Sequence, residues 1–159
     1  MGKKPPALAR HELVRFMEEQ GTAFLGALKP FDDERARRVG VTSRWSVCDL
    51  VAHIVGWQRE ALKRIPEIRR GDRGDRTYDV DAMNSAFVAD LSGLGRAALV
   101  ARLADQHLQL LTLAAEVEDR WLRPGSGVYE WLYNVGAEHF QEHLPRLQAW
   151  ANELGLSKS

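Results

Sequence analysis

Two histidines four residues apart are the residues of this sequence with the clearest potential for chemistry. His139 and His143 lie in the segment A-E-H-F-Q-E-H-L-P-R-L-Q-A-W, residues 137–150. On a helix, residues four apart have Cβ atoms about 5–6 Å apart, so their two imidazole rings can bind one metal ion. Both also lie on the apolar side of the predicted helix, so the alternative is a pair of neutral, hydrogen-bonded core histidines.

A third histidine, His53, is the candidate that completes a three-ligand site. It lies at the border of the apolar stripe of another predicted helix, where a side chain faces a cleft between helices. Three imidazoles favour a divalent transition metal such as Zn²⁺ or Ni²⁺ over Ca²⁺ and Mg²⁺, which prefer oxygen ligands. Three protein ligands also leave positions open, as in catalytic rather than structural sites, and the ion can then activate a water or a thiol.

Three carboxylates lie close to these histidines on the helical wheel. Asp49 and Glu60 fall on nearly the same line as His53, and Glu142 directly precedes His143. Such groups can orient the far ring nitrogen of a metal ligand or hold a water, and are the candidates for a catalytic role. The alternative for each of them is a solvated carboxylate at the edge of an apolar stripe.

The remaining cysteine and histidines have simpler interpretations. Cys48 is the single cysteine, which excludes an internal disulfide and a cysteine-based zinc finger. A helix start can lower a thiol pKa, but Cys48 points away from His53 on the wheel, so we interpret it as an inert small residue. His11, near the N-terminus, and His107, with no histidine four residues away, are interpreted as structural or exposed.

The elements that must position these residues are helices. A periodicity of about 3.6 residues dominates and strand signals are almost absent, which predicts an all-α fold, a four-helix bundle forming a single domain over residues 1–159. The predicted helices span approximately residues 7–28, 46–65, 80–90, 96–118 and 128–154, with a polar connection at 31–44 and a loop at 69–77.

Local signals mark where the predicted helices begin and bend. Ser46 and Asp49 have the spacing of a capping box, which predicts a helix start at this point. Pro66 predicts a kink or the restart of a final turn, and Pro145 predicts a bend just past His143. Such a bend could tilt the histidine pair toward the helix of His53, although a purely structural kink fits equally well.

Charge and hydropathy narrow the range of partners. The 22 basic and 22 acidic residues give a formal net charge of zero, without the basic surplus typical of proteins that bind nucleic acids or anionic membranes. No uncharged run approaches the roughly 18 residues that a membrane span needs, and the N-terminus lacks an apolar signal core. We therefore expect a cytoplasmic protein with a small-molecule substrate, no nucleic-acid partner and no membrane partner.

Taken together, three motifs resemble a known superfamily. They are W-S-V-C-D-L-V-A-H-I-V-G-W at 45–57, Asn84, and E-H-F-Q-E-H-L-P-R-L-Q-A-W at 138–150. Their order and spacing resemble the DinB/YfiT-like superfamily of four-helix-bundle proteins, and most of all its ClbS/DfsB group. The resemblance covers about residues 10–150.

The resemblance implies a metal site and a range of activities. In the superfamily one histidine of the second helix and an H-x-x-x-H pair of the fourth form a metal triad, which maps onto His53, His139 and His143. Members include thiol-dependent S-transferases and isomerases, metal-dependent hydrolases and stress-induced proteins, and the ClbS/DfsB group includes a hydrolase that protects its producer from a genotoxin.

The leading hypothesis is accordingly a metal-dependent enzyme that hydrolyses a small electrophilic compound or conjugates it to a thiol, in detoxification or a stress response. Trp57 is predicted to line the mouth of its substrate pocket. Two alternatives stay open: a non-enzymatic stress or ligand-binding bundle protein, for which a homodimer is considered, and a ClbS-like hydrolase that works without metal.

Overall fold

Helices form every regular element that the structure describes. The structure is a computed structural model, and it describes residues 4–72 and 76–156. In chain order these residues form α1 (Arg10–Leu28), α2 (Asp33–Ala36), α3 (Val47–Arg69), α4 (Val80–Asp90), α5 (Arg96–Glu116), a 3₁₀ turn (Asp119–Trp121), α6 (Gly127–Tyr133), a π-helical segment (Asn134–Glu138) and α7 (His139–Glu153). The predicted all-α four-helix bundle is confirmed.

Four long segments make up the bundle: α1, α3, α5 and the uninterrupted run of α6, the π-helical segment and α7. α1 packs against α5 and α7, while α3 packs against α5 and α6. The short α4 lies along α3, outside the four-segment core. This arrangement brings one face of α3 opposite the start of α7, and α4 covers α3 beside that face.

The predicted start of α3 is present as a reciprocal capping box. Ser46 Oγ accepts a hydrogen bond from the backbone N–H of Asp49 at 3.1 Å, and Asp49 Oδ2 accepts one from the backbone N–H of Ser46 at 2.9 Å. Pro66 lies inside α3, which continues to Arg69. Residues 73–75 of the predicted loop lie outside the described residues.

Several elements differ from the sequence-based prediction. The polar connection contains α2, capped by Asp32, whose Oδ1 accepts from the backbone N–H of Arg35 at 2.8 Å. The last predicted helix contains a π-helical segment, and α7 then continues through Pro145 to Glu153. A proline lacks the N–H that would bond one turn back, yet the later N–H groups still pair within the helix.

Two apolar clusters fill the bundle, and buried polar side chains lie where they meet. On α5, for example, Leu103 belongs to one cluster, Leu110 belongs to the other, and the buried His107 lies between them. Gln58, fully buried on α3, donates to the carbonyl of Leu103 at 3.4 Å and accepts from Gln106 at 3.1 Å. Gln58 and Gln106 are therefore hydrogen-bonded to each other inside the bundle, whereas His107 bonds to the carbonyl of Met17.

Candidate metal centre

The three predicted histidine ligands converge. His53 Nε2 lies 2.8 Å from His139 Nε2 and 3.3 Å from His143 Nε2. One nitrogen from each ring can be chosen so that all three lie within 4.8 Å of one another. His53 and His139 are buried, and His143 is partly exposed, so the cluster lies just beneath the surface.

Asn84 on α4 determines which nitrogen of His53 faces the other two rings. The indole N–H of Trp57, which can only donate, lies 2.7 Å from Asn84 Oδ1, so this atom is an acceptor. His53 Nδ1 lies 2.9 Å from the same oxygen and must therefore donate to it. In a neutral imidazole the other nitrogen then carries a lone pair, so Nε2 of His53 is in the form that binds a metal ion.

The separations of His53 Nε2 from the other two rings fit the spacing of nitrogens bound to a single transition-metal ion. Two nitrogens bound to Zn²⁺ at about 2.0–2.1 Å lie roughly 2.9 Å apart when they subtend a right angle and roughly 3.4 Å apart at the tetrahedral angle. The separations of 2.8 and 3.3 Å from His53 Nε2 are close to these two values. An all-imidazole donor set also suits Zn²⁺ or Ni²⁺.

Burial keeps the three rings neutral, which metal binding requires. Burial and the neighbouring His143 lower the pKa of His53 to about 4, although the hydrogen bond to Asn84 opposes the shift. Burial, together with the other two rings, lowers the pKa of His139 well below its usual value. Burial also lowers the pKa of His143, with the charge of Glu142 acting in the opposite direction. At neutral pH all three histidines therefore present lone pairs.

His53 is more deeply buried than its position at the border of the apolar stripe of α3 predicts, and neighbouring segments explain why. Trp45, just before α3, places its ring 4.9 Å from the imidazole of His53, and α4 covers the other side through Asn84. Only 5% of His53 is exposed. On the opposite helix, the π-helical segment ends where His139 begins, so it sets the rotation of both α7 histidines about the helix axis.

The three predicted carboxylates lie in different surroundings, and the cluster of three histidines contains none of them. Asp49 is engaged in the cap of α3. Glu60 accepts a hydrogen bond from the hydroxyl of Tyr78 at 3.1 Å. Glu142 is exposed next to His143 and is the carboxylate whose charge acts on that ring.

Trp57 and the other singled-out residues also have defined places. Trp57 is 1% exposed, and its indole bonds to Asn84 from within the core. Cys48 is partly buried, and burial raises its thiol pKa. His11 is exposed, whereas His107 is buried and lies 3.0 Å through Nε2 from the carbonyl of Met17, to which it donates.

Sequence reasoning gave Asn84 no role of its own, naming it only as part of a motif. Its contacts run from α4 to α3, so no spacing within one helix indicates them. The available signal is chemical: an asparagine inside a helix is a weak helix former and is often retained for its hydrogen bonds. Trp45, just before α3, likewise contacts the imidazole of His53, a contact that the sequence did not predict.

Comparison with known families identifies the superfamily that the sequence motifs resemble. The DinB superfamily matches residues 17–145, which contain all three histidines and Asn84. The chain belongs to the DinB superfamily. No curated protein sequence matches this DinB-superfamily chain.

Solved structures share the fold over nearly the whole chain. The colibactin self-resistance protein ClbS, in complex with double-stranded DNA, is 17% identical with a TM-score of 0.77, over 97% of this chain and 99% of that one. DfsB, described as a sibling lethal factor precursor, is 16% identical with a TM-score of 0.80, over 94% and 98%. A Streptococcus pneumoniae protein is 14% identical with a TM-score of 0.79, over 94% and 93%. These likenesses confirm the resemblance to the ClbS/DfsB group at the level of the fold.

The prediction that nucleic acid is excluded was wrong. A protein with this fold has been solved with double-stranded DNA bound, so the fold is compatible with such a partner. The exclusion relied on the equal numbers of basic and acidic residues, and net charge does not describe how charges are distributed over a surface. As for membranes, none of the helices within the described residues has the length and apolarity of a membrane span.

Proposed function

We propose that this DinB-superfamily chain is a metal-dependent enzyme that hydrolyses a small electrophilic compound or conjugates it to a thiol. The observation that carries the proposal is the convergence of His53, His139 and His143, with the first held in its ligand tautomer by Asn84. Bound Zn²⁺ or Ni²⁺ with three protein ligands lowers the pKa of a water or a thiol in an open position.

The chain's own residues hold and enclose this site. Asn84 fixes the orientation of the His53 ring, and Trp57 fixes Asn84 through a second hydrogen bond to the same oxygen. The ring of Trp45 covers one side of His53 and limits access of water there. Because His143 is the most exposed of the three histidines, we expect substrate to approach on its side, and the exposed Glu142 beside it is the candidate proton acceptor.

Metal titration tests the site directly. The protein is treated with chelator, and Zn²⁺ and Ni²⁺ are then added in separate calorimetric titrations. We expect one ion per chain, with affinity lowered at least about 100-fold in His53→Gln and in His139→Gln because a three-ligand site becomes a two-ligand site. His11→Gln removes an exposed histidine and is the matched control. The proposal would be contradicted if the affinity for Zn²⁺ and Ni²⁺ were the same in His139→Gln as in the parent chain.

Activity measurements separate the reaction types. Activated esters and epoxides are offered with and without a low-molecular-weight thiol, before and after chelation. A metal enzyme loses turnover on chelation and regains it with added ion, and dependence on the thiol distinguishes transfer from hydrolysis. Turnover that survives chelation would support the metal-independent hydrolase instead. Binding without turnover in every condition would support a non-enzymatic bundle protein.

A further inference from the structure

A large cavity lies away from the histidine triad, at the end of the bundle where α3 ends and α6 begins. Its volume is about 680 Å³, within the range of about 300–1,000 Å³ typical of small-molecule sites. Its lining includes Tyr78, Trp121 and Trp131 but none of the three metal-binding histidines. The proposed function leaves this cavity without a role.

Aromatic side chains form a rigid wall of the cavity. The rings of Tyr78 and Trp131 meet edge to face with centroids 5.8 Å apart. Both rest on Trp57, at 5.7 and 6.5 Å respectively, and Trp57 is held in turn by Asn84. The Tyr78 hydroxyl donates to Glu60 at 3.1 Å, which fixes that ring further. Partly exposed aromatic faces held in this way are preformed surfaces for stacking and for cation–π contacts.

The guanidinium groups that line the cavity all have carboxylate partners. Arg64, only 5% exposed as a side chain, lies 2.8 Å from Glu67 and 3.0 Å from Asp72. Arg76 lies 3.1 Å from the same Glu67. Arg120, the third lining arginine, lies 3.4 Å from a carboxylate oxygen of Glu118 and stacks on Trp121. Each guanidinium group of the lining therefore has a carboxylate partner within the protein, and Glu118 is shared with Arg69 at 3.1 Å.

Glu130 differs from the other charged groups of the lining. It is partly buried beside Trp131, and within residues 4–72 and 76–156 it has neither an ion pair nor a side-chain hydrogen bond. A carboxylate without an ion-pair partner that lines the same cavity as indole and phenol rings is suited to organic cations, because ring faces and a carboxylate attract the same charge.

We propose that this cavity binds an organic cation, with an amidinium or ammonium group at Glu130 and a planar or apolar body against Tyr78 and Trp131. The site is separate from the metal centre, so it does not require the proposed enzymatic function. Trp57 links the cavity to the histidine triad. Its ring contacts Tyr78 and Trp131 in the wall of the cavity, and its indole N–H donates to Asn84 beside the triad.

The test uses three small probes of nearly the same shape: benzamidinium, neutral benzamide and anionic benzoate. Each is titrated into chelator-treated, full-length protein while the indole N–H resonances are followed by NMR. We expect saturable shifts of the Trp131 resonance with benzamidinium, and affinity reduced at least about tenfold for benzamide and benzoate, as a charge-assisted hydrogen bond predicts.

Two variants test whether Glu130 causes the preference for the cationic probe. Glu130→Gln keeps the shape of the side chain and should remove the preference for benzamidinium over benzamide. Glu153→Gln, an exposed carboxylate at the far end of α7, is the matched control and should leave the preference intact. Equal affinities for benzamidinium and benzamide, tighter binding of benzoate, an unchanged preference in Glu130→Gln, or no saturable shift of Trp131 would each overturn the proposal.

Discussion

His53 donates through Nδ1 to Asn84 Oδ1 at 2.9 Å, and this hydrogen bond directs its Nε2 toward His139 and His143. The arrangement of the histidines on α3 and α7 therefore depends on a residue from a third helix, α4. Since Asn84 also accepts from Trp57 at 2.7 Å, its amide cannot rotate to present its NH₂ group without leaving the indole N–H unpaired.

Replacement of Asn84 should weaken metal binding without unfolding the bundle. We expect Asn84→Ala to lower the affinity for Zn²⁺ by about 10–100-fold, the range found when a partner of a ligating histidine is removed. Competition against a chromophoric chelator measures this change. Ser85→Ala, an exposed neighbour on α4, is the control. An affinity in Asn84→Ala equal to that of Ser85→Ala would show that the hydrogen bond does not orient His53.

The parts of the site that sequence predicted are those that depend on local spacing. The capping box of Ser46 and Asp49 fixes the start of α3, and a four-residue repeat puts His139 and His143 on one side of a helix. His53 could be singled out because it lies at the border of an apolar stripe, where a side chain faces a cleft between helices. Each of these signals lies within one helix and needs no knowledge of packing.

The parts that sequence did not predict depend on packing between segments or on irregular backbone. A helical wheel advances by a constant angle, but the π-helical segment at Asn134–Glu138 has more residues per turn, which changes the phase between α6 and α7. Asn84 becomes important only once α4 lies on α3. The α2 helix has four residues, too few for a periodic pattern, so its charged sequence was predicted as a connection.

Cys48 should react slowly with alkylating reagents. Burial raises the pKa of its thiol, with the positive charge of Arg37 only partly opposing the shift, so less thiolate is present at neutral pH than for an exposed cysteine. We expect iodoacetamide to modify the native protein more slowly than the urea-unfolded protein, as followed by mass spectrometry. Faster modification of the native protein would mean that Cys48 is an activated nucleophile and not the inert residue we infer.

Two glycines of α1 should respond oppositely to replacement by alanine. A Cβ on Gly21 would lie 2.2 Å from Nε2 of His107, a ring fixed by its bond to Met17 and its contact with Phe140. We expect Gly21→Ala to lower the free energy of unfolding by about 1–3 kcal/mol, as overpacking does. Urea unfolding followed by circular dichroism measures the change.

Gly26 provides the matched control on the same helix. A Cβ there has no atom within 4 Å, so Gly26→Ala should raise the free energy of unfolding by about 0.5–1 kcal/mol through helix propensity and a less flexible unfolded chain. If both variants were stabilised, the His107 ring would have to move easily, which its contacts argue against.

Acidification should destabilise the metal-free protein, and His107 should contribute to this effect independently of the triad. Burial lowers the pKa of His107, although its hydrogen bond to Met17 opposes the shift. The folded chain therefore keeps this ring neutral below the usual pKa of 6.5, while the unfolded chain takes up a proton. The free energy of unfolding is thus highest above the histidine pKa of the unfolded chain and decreases as the pH falls toward the pKa that His107 has in the folded chain. His53 acts in the same direction, down to its own folded-state pKa of about 4.

Each such histidine steepens the pH dependence of the free energy of unfolding by up to about 1.4 kcal/mol per pH unit, since the unfolded chain binds one more proton than the folded chain. Unfolding free energies of chelator-treated protein are measured in urea at neutral pH and near about pH 5, the window in which the unfolded histidines charge. His107→Gln should flatten the dependence relative to the parent chain, because a glutamine amide can still donate to Met17 but does not titrate. His11→Gln removes an exposed histidine and should leave the dependence unchanged. An equal slope in the parent chain and in His107→Gln would show that this ring becomes protonated without unfolding.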